Sequence, residues 1–296
     1  EAQSLQTSNG IFCNGVTVQG IIRYYDNYLE KAIAGKNSDL EGQKAFQGYF
    51  ERIEALLQDS NSKLLSSIDD FFNGWQELSA DPTSVSVRTT VVSAGKNLSG
   101  GIRNIYNELK KLQIEIDQTI DSEINDINRM LLSIADLNQQ IFESMSSRND
   151  GAPDLLDKRT ELLKQLSGKI DVTYFEDKYG RLNIQTGNGG NVVVDGNQYW
   201  KLKTIDDEAG FNRVAWEDQS GNLTDLTDRI KSGKVKALMD MRDEYIGNGF
   251  LNDVDELAKS IINEINTIHE TGYNLNGTTG ISFFSDIKEN YAKNID

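Results

Sequence analysis

Apolar residues change their period several times along this chain, and each change marks a change of element. Up to about Gly20, short β-type pairs such as Val16-Thr17-Val18 stand among Gly, Ser, Asn and Thr, which predicts an extended arm with turns rather than a core. From residue 21 to about 59 the spacing becomes helical. Tyr25, Tyr28, Leu29 and Ile33, then Phe46, Tyr49, Phe50, Ile53, Leu56 and Leu57, follow steps of about 3 to 4. A second helix is expected over residues 62–78. Asp81-Pro82-Thr83 then reads as a helix start, with Asp81 capping free N–H groups and Pro82 at the first helical position, where it forfeits no hydrogen bond.

The strongest pattern follows. Ile105, Leu109, Leu112, Ile116, Ile120, Ile124, Ile127, Leu131, Ile134, Leu137 and Ile141 recur at steps of 4, 3, 4, 4, 4, 3, 4, 3, 3 and 4, one apolar stripe on one face. A helix from residue 82 to about 145 would be roughly 95 Å long at about 1.5 Å per residue, and a rod of that length needs partners along it. The stripe alone is compatible with the core of a helical bundle and with a filament-type assembly. Gly151-Ala152-Pro153 breaks the rod, and residues 154–166 return as a short helix carrying Leu155, Leu156, Leu162, Leu163 and Leu166.

Near Gly168 the period changes to that of short strands joined by turns. Val172, Tyr174, Leu182, Ile184, Val192-Val193-Val194, Tyr199, Leu202, Val214 and Trp216 are separated by Asp177-Lys178-Tyr179-Gly180, the Gly-rich stretch 186–191 and Asp195-Gly196. Helical spacing resumes after Leu226 with Val235, Leu238, Met239 and Met241, then Val254, Leu257, Ile261, Ile265 and Ile268, a stripe able to pack on the rod. The expected fold is mainly α with an inserted small β domain, α+β and multidomain, built on an elongated bundle of long helices. Its divisions are an extended arm over residues 1–20, a discontinuous long-helical rod domain over 21–168 and 229–296, and a β-rich outer domain over 169–228.

Composition narrows the function. The 296 residues carry 30 Lys+Arg against 46 Asp+Glu, a net charge of −16, and contain no Lys/Arg-rich run, which argues against nucleic acid or an anionic membrane surface as partner. The longest unbroken apolar run is three residues, as in Val192-Val193-Val194, where a bilayer span needs about twenty. The first residues lack the basic start and apolar stretch of a cleaved secretion signal. One cysteine, Cys13, forms no intrachain disulfide or Cys-based zinc cluster, and one histidine, His269, excludes any site that needs two imidazoles.

Candidate chemistry is sparse. Asp69-Asp70, Asp206-Asp207 and Asp243-Glu244 suggest acid/base pairs, but seven adjacent acidic pairs are about what this acid content produces by chance, and a solvated acidic surface is the reading adopted. Thr186-Gly187-Asn188-Gly189-Gly190-Asn191 leads into a strand rather than the helix a phosphate loop requires, so a turn is expected. His269 falls near the end of the last helix, where capping or packing suits it. Cys13 has no basic neighbour to lower its pKa, and Asn149-Asp150-Gly151 lacks a calcium-loop pattern. Sequons begin at Asn97, Asn222 and Asn276. No catalytic, cofactor-binding or metal-ligating residue is assigned, no cofactor is expected, and partner contacts stay unassigned.

Several stretches, in order, resemble the family of hook-associated, hook–filament junction proteins of bacterial flagella. They are Asn14-Gly15-Val16-Thr17-Val18 with Ile22-Arg23-Tyr24-Tyr25-Asp26; Phe71-Phe72-Asn73-Gly74-Trp75-Gln76-Glu77-Leu78-Ser79, then Asp81-Pro82 and Arg88; and Asp136-Leu137-Asn138-Gln139-Gln140-Ile141 with Asp154-Leu155-Leu156-Asp157-Lys158-Arg159. The C-terminal part adds Ser232-Gly233-Lys234-Val235-Lys236-Ala237-Leu238, Arg242-Asp243, Leu257-Ala258, and Asn266-Thr267-Ile268-His269-Glu270-Thr271-Gly272-Tyr273-Asn274-Leu275-Asn276-Gly277. Asp154 and Thr160 stand where the family has Asn and Asp.

The resemblance implies a non-enzymatic structural protein, exported unfolded through the flagellar type III apparatus without a cleaved signal and placed extracellularly between hook and filament. Hook protein, the second hook–filament junction protein, copies of itself in the junction layer and an export chaperone acting on the C-terminus are the implied partners. Relative to the family, the chain lacks the N-terminal helix before the arm and the C-terminal tube-forming helices. It is therefore expected to be a middle fragment, monomeric in solution, with an outward-facing and dispensable β insert. The rival readings are another axial protein such as hook protein, a carbohydrate- or partner-binding surface module using Tyr199, Trp200 and Trp216, and a hydrolase built on an acidic pair.

Overall fold

A computed structural model describes residues 2–7, 10–16, 26–147, 152–187 and 190–296. Strands β1 (Ala2–Thr7) and β2 (Gly10–Val16) pair antiparallel; the rest of the predicted arm, and the family-like stretch before Asp26, lie outside the described residues. The helices are α1 (Asn27–Ala80), α2 (Val85–Ser147) and α3 (Pro153–Lys169). After the strands come α4 (Lys234–Asp240), a π-helical segment (Met241–Leu251), α5 (Asn252–His269) and the short α6 (Tyr291–Asn294). The chain divides into two compact units, residues 1–42 with 123–234 and residues 43–122 with 235–296.

The two helices expected over 21–59 and 62–78 are one. Asp59-Ser60-Asn61-Ser62 is polar but contains neither Gly nor Pro. Lys63 reaches back to Asp59 at 2.7 Å, and the Ser62 hydroxyl donates to Gln58 O, so the polar stretch is simply a solvated turn of α1. Asp26 caps its start, its Oδ1 accepting from Tyr28 and Leu29 N–H at 2.9 and 3.1 Å. The start of α2 also shifts. Asp81 and Pro82 form the turn between helices, with Ser84 N–H donating to Asp81 O, and the Ser84 hydroxyl rather than Asp81 accepts from Val87 N–H.

All eleven positions of the α2 stripe are buried. Burying a Leu or Ile side chain contributes roughly 1.5–3 kcal/mol, which outweighs the few tenths of a kcal/mol that propensity contributes per residue, so tertiary packing rather than local preference holds this helix. In the second unit small residues admit neighbours. A Cβ at Gly74 would stand 3.4 Å from Val91 Cγ2, and one at Gly95 would stand 2.7 Å from the Phe283 ring. Across the same unit Arg52 pairs with Glu115 at 2.6 Å.

In the first unit α3 rests on the start of α1: Asn37 Nδ2 donates to Lys164 O at 2.8 Å, and a Cβ at Gly168 would stand 2.9 Å from both Asn37 and Glu41. Two antiparallel sheets follow. One has the order β3 (Val172–Glu176), β4 (Leu182–Thr186), β5 (Val192–Asp195), β6 (Gln198–Tyr199); the other has β7 (Leu202–Asp206), β8 (Asn212–Glu217), β9 (Leu223–Asp225).

Three of the hairpin turns share one construction. Asp177, Asp207 and Asp218 each accept on Oδ1 from the N–H groups two and four residues on, at 2.8–3.0 Å. Gly180, Gly210 and Gly221 take φ of 73°, 80° and 82°, which a side chain would strain. Asn274 and Gly277 repeat the arrangement after α5. Asp207, part of a tempting acidic pair, is therefore a turn cap, while Asp206 and both Asp69 and Asp70 are exposed.

Candidate functional site

The stretches that carry the family resemblance meet in three polar networks. In the first unit Asn138, fully buried on α2, uses its entire hydrogen-bonding capacity. Its Nδ2 donates to Leu182 O and Gly196 O at 2.8 and 2.7 Å, and its Oδ1 accepts from Leu182 N–H at 3.0 Å and Arg159 Nη1 at 2.9 Å. Arg159, on α3 and 3% exposed, also donates to Gly180 O at 2.7 Å and pairs with Glu176. One amide and one guanidinium thus fasten the β3–β6 sheet to α2 and α3. Elsewhere in the same unit, Lys169 and Lys234 both pair with Glu123.

In the second unit Arg242 lies in the π-helical segment with its side chain 2% exposed. It pairs with Asp117 at 2.6 Å and in two-pronged fashion with Asp243 at 2.6 and 2.8 Å. Burial opposes its charge, but the Asp243 and Asp117 carboxylates outweigh that and hold it protonated. Gln113 Nε2 donates to Arg242 O at 3.0 Å, and Gly247 leaves room for that amide. The acidic pair Asp243-Glu244 therefore contributes Asp243 to an ion pair and leaves Glu244 exposed.

The third network turns the chain back after α5. Asn266 Oδ1 accepts from Phe283 and Phe284 N–H, both at 2.9 Å, and its Nδ2 donates to Phe284 O at 2.9 Å. His269 packs edge-on against Trp75 and Phe283, with ring centroids 5.7 and 5.6 Å away, and its Nδ1 is 2.6 Å from Ile281 O, a contact that places the proton on Nδ1.

Around this network lies an open groove of about 950 Å³ in the second unit, lined chiefly by Phe72, Trp75, Val92, Ile265, Ile268, Tyr273 and Phe283. Arg88 borders it and folds back on Pro82 O at 2.7 and 3.0 Å. The Trp75 Nε1–H is buried with no hydrogen-bond partner among the described residues. The stripe expected on α5 is covered only in part. The helix buries Ala258 and Ile262, whereas Leu257 and Ile268 of the predicted stripe are 41% and 69% exposed. What this groove can do chemically is accept an apolar surface.

The remaining candidates are dispersed. Cys13 falls on β2, and its side chain lies outside the described residues, as do residues 149–151 and 188–189. Gly187 turns with φ 61° and the chain then enters β5. Trp216 donates its Nε1–H to Val192 O at 2.9 Å, while Tyr199 and Trp200 line a separate cleft. Asn97, Asn222 and Asn276 are exposed. No described helix is long and apolar enough to cross a membrane, and no described acid, His or Cys cluster is arranged to hold a metal.

Residues 50–284 match the family described as the flagellar hook-associated protein FlgK helical domain. The chain is 25% identical over 289 residues to flagellar hook-associated protein 1 of Salmonella typhimurium, covering 96% of this chain and 52% of that protein; the Escherichia coli K12 protein gives the same figures. The Bacillus subtilis protein is 22% identical over 310 residues, with 96% and 60% covered. The chain thus spans about half the length of the curated relatives it matches. Its fold is similar to that of the flagellar hook junction protein FlgK from Burkholderia pseudomallei, with a TM-score of 0.73 and 21% identity over 88% of this chain and 46% of that one. With most of its length matched by that helical-domain family, the chain belongs to the flagellar hook-associated protein FlgK helical domain family.

Proposed function

We propose that this chain serves as structural material of the bacterial flagellum, at the junction between hook and filament, and that it catalyses no reaction. The observation that carries this reading is where the family-like residues are spent: Asn138, Arg159, Arg242 and Asn266 all bind other parts of the fold. That is the use expected of a subunit whose function is its shape. Its partners would be hook protein, the second junction protein and neighbouring copies of itself, with an export chaperone before assembly and an extracellular destination. The apolar groove on α1, α2 and α5 supports contact with the apolar surface of a neighbouring axial subunit. Residues 169–228 form, in this reading, an insertion within a helical domain made of 21–168 and 229–296, preceded by an arm over 1–20.

The test is deletion of the complete gene in its host. Bare hooks, flagellin lost to the medium and rescue by the intact gene are the expected result. Normal filaments would refute the proposal.

A further inference from the structure

The cleft where β6 runs into β7, facing the turn between β8 and β9, has a composition that the structural role does not use. It measures about 400 Å³, within the range of about 300–1,000 Å³ typical of small-molecule sites, and is lined by Gln198, Tyr199, Trp200, Lys201, Glu217 and Gln219 among others. The two carboxylates at its edge are engaged: Glu217 pairs with Lys203 at 2.6 Å, and Asp218 caps its own turn and accepts from Asn222 Nδ2 at 2.8 Å. The side chains of Gln198, Tyr199, Trp200, Lys201 and Gln219 make no hydrogen bond or ion pair among the described residues. The cleft therefore combines half-buried aromatic surface with a set of unengaged donors, most of them neutral.

That combination suits one ligand class better than others. A nucleotide or phosphate would meet one lysine flanked by two acids, and a purely apolar ligand would leave the amides, the indole N–H and the phenol unpaired. A pyranose presents an apolar C–H face to an aromatic ring and hydroxyl acceptors around its rim. We infer that this cleft binds a carbohydrate ring, with Trp200 and Tyr199 as the apolar wall and Lys201, Gln198 and Gln219 as donors to its hydroxyls. Trp216 takes no part, because its indole N–H is bound to Val192 O within the sheets.

The experiment is saturation-transfer NMR on the 296-residue chain with the methyl glycosides of glucose, galactose, N-acetylglucosamine and N-acetylneuraminic acid, each at millimolar concentration. At least one sugar is expected to receive saturation and to titrate to a plateau. Trp200→Ala should weaken it at least tenfold, Trp200→Phe less because a ring face remains, and Trp216→Phe should leave it unchanged. Thermal melting of each variant separates loss of the cleft from loss of the fold. Saturation of none of the four sugars would overturn the inference, and so would binding that a folded Trp200→Ala protein retains in full.

Discussion

Asn138→Leu is the substitution that most sharply tests how the sheet is held. The two side chains share the same branching and number of heavy atoms, and Leu is the bulkier, so the change removes hydrogen bonds without opening a cavity. It leaves Leu182 N–H, Leu182 O and Gly196 O without partners in a buried place, while Arg159 keeps Gly180 O and Glu176. An unsatisfied buried group costs about 1–3 kcal/mol. Three such groups, less what local relaxation and the added apolar contact restore, give a net loss of about 3 kcal/mol, large against a typical domain stability of about 5–15 kcal/mol. Asn138→Asp, which keeps the acceptor and loses both donors, should cost about 2 kcal/mol by the same count. Because the chain has two compact units, a single global transition is a poor reporter. The assay is therefore urea unfolding combined with hydrogen exchange at the Leu182 amide, whose protection should fall by the same free energy. A loss below about 1 kcal/mol with Leu182 still fully protected would show that packing, not Asn138, anchors the sheet.

Other substitutions probe the remaining links. Arg242→Met should destabilise by about 3 kcal/mol because it leaves Asp117 without its cation, and Asp117→Asn added to it should restore part of that in a double-mutant cycle measured by urea unfolding. Burial raises the Asp171 pKa, and one of its carboxylate oxygens has no hydrogen-bond partner among the described residues. Its native pKa lies above the unfolded value, so its contribution is intact below about pH 4 and is lost as pH rises; Asp171→Asn should raise the melting temperature at pH 7 and have no effect at low pH. Asp177 has the opposite sign. Desolvation pushes its pKa up, but hydrogen bonds from the Arg181 and Tyr179 N–H groups and the Arg181 side chain hold it below its usual value, so Asp177→Asn should lower stability at pH 7 and the difference should fade as pH falls below about 4. Gly233 has φ 92°, and a Cβ there would stand 2.8 Å from Lys169 O and Ile170 N; Gly233→Ala should cost about 2 kcal/mol or more in thermal or urea unfolding. Ile268→Asp, on an exposed groove residue, should leave the melting temperature within a degree or two yet block filament growth in cells; normal filaments would remove the groove from the proposed function.

Much of the helical architecture was legible because its signal is long and local. Eleven apolar residues in register specify one buried face whatever covers it, and the change of period near Gly168 marks the strands. What failed to show was non-local or of unusual period. The π-helical segment buries Met241, Ile246 and Leu251, five residues apart, a spacing that a search at 3 to 4 passes over. The stripe on α5 declares an apolar face but not how much of it the chain itself covers: Ala258 and Ile262 beside it are buried, Val254, Ile261 and Ile265 half-buried, and Leu257 and Ile268 exposed. Asn138 and Arg159 stood in family-like stretches, yet their partners are loop and strand groups, some more than forty residues away, beyond any spacing argument. The Asp-x-x-Gly turns were readable in principle, since Asp177, Asp207 and Asp218 each precede a glycine by three. The first of them reads as a turn from the sequence, whereas Asp207, beside Asp206, reads as charge rather than as a hydrogen-bonded cap.

The most direct test of the central claim is location. Antibodies raised against residues 169–228 and detected with gold on intact flagella should label a single band where hook meets filament, and label nothing on a deletion strain. Label along the length of the filament, or on the cell surface away from the flagellum, would contradict a role at the junction.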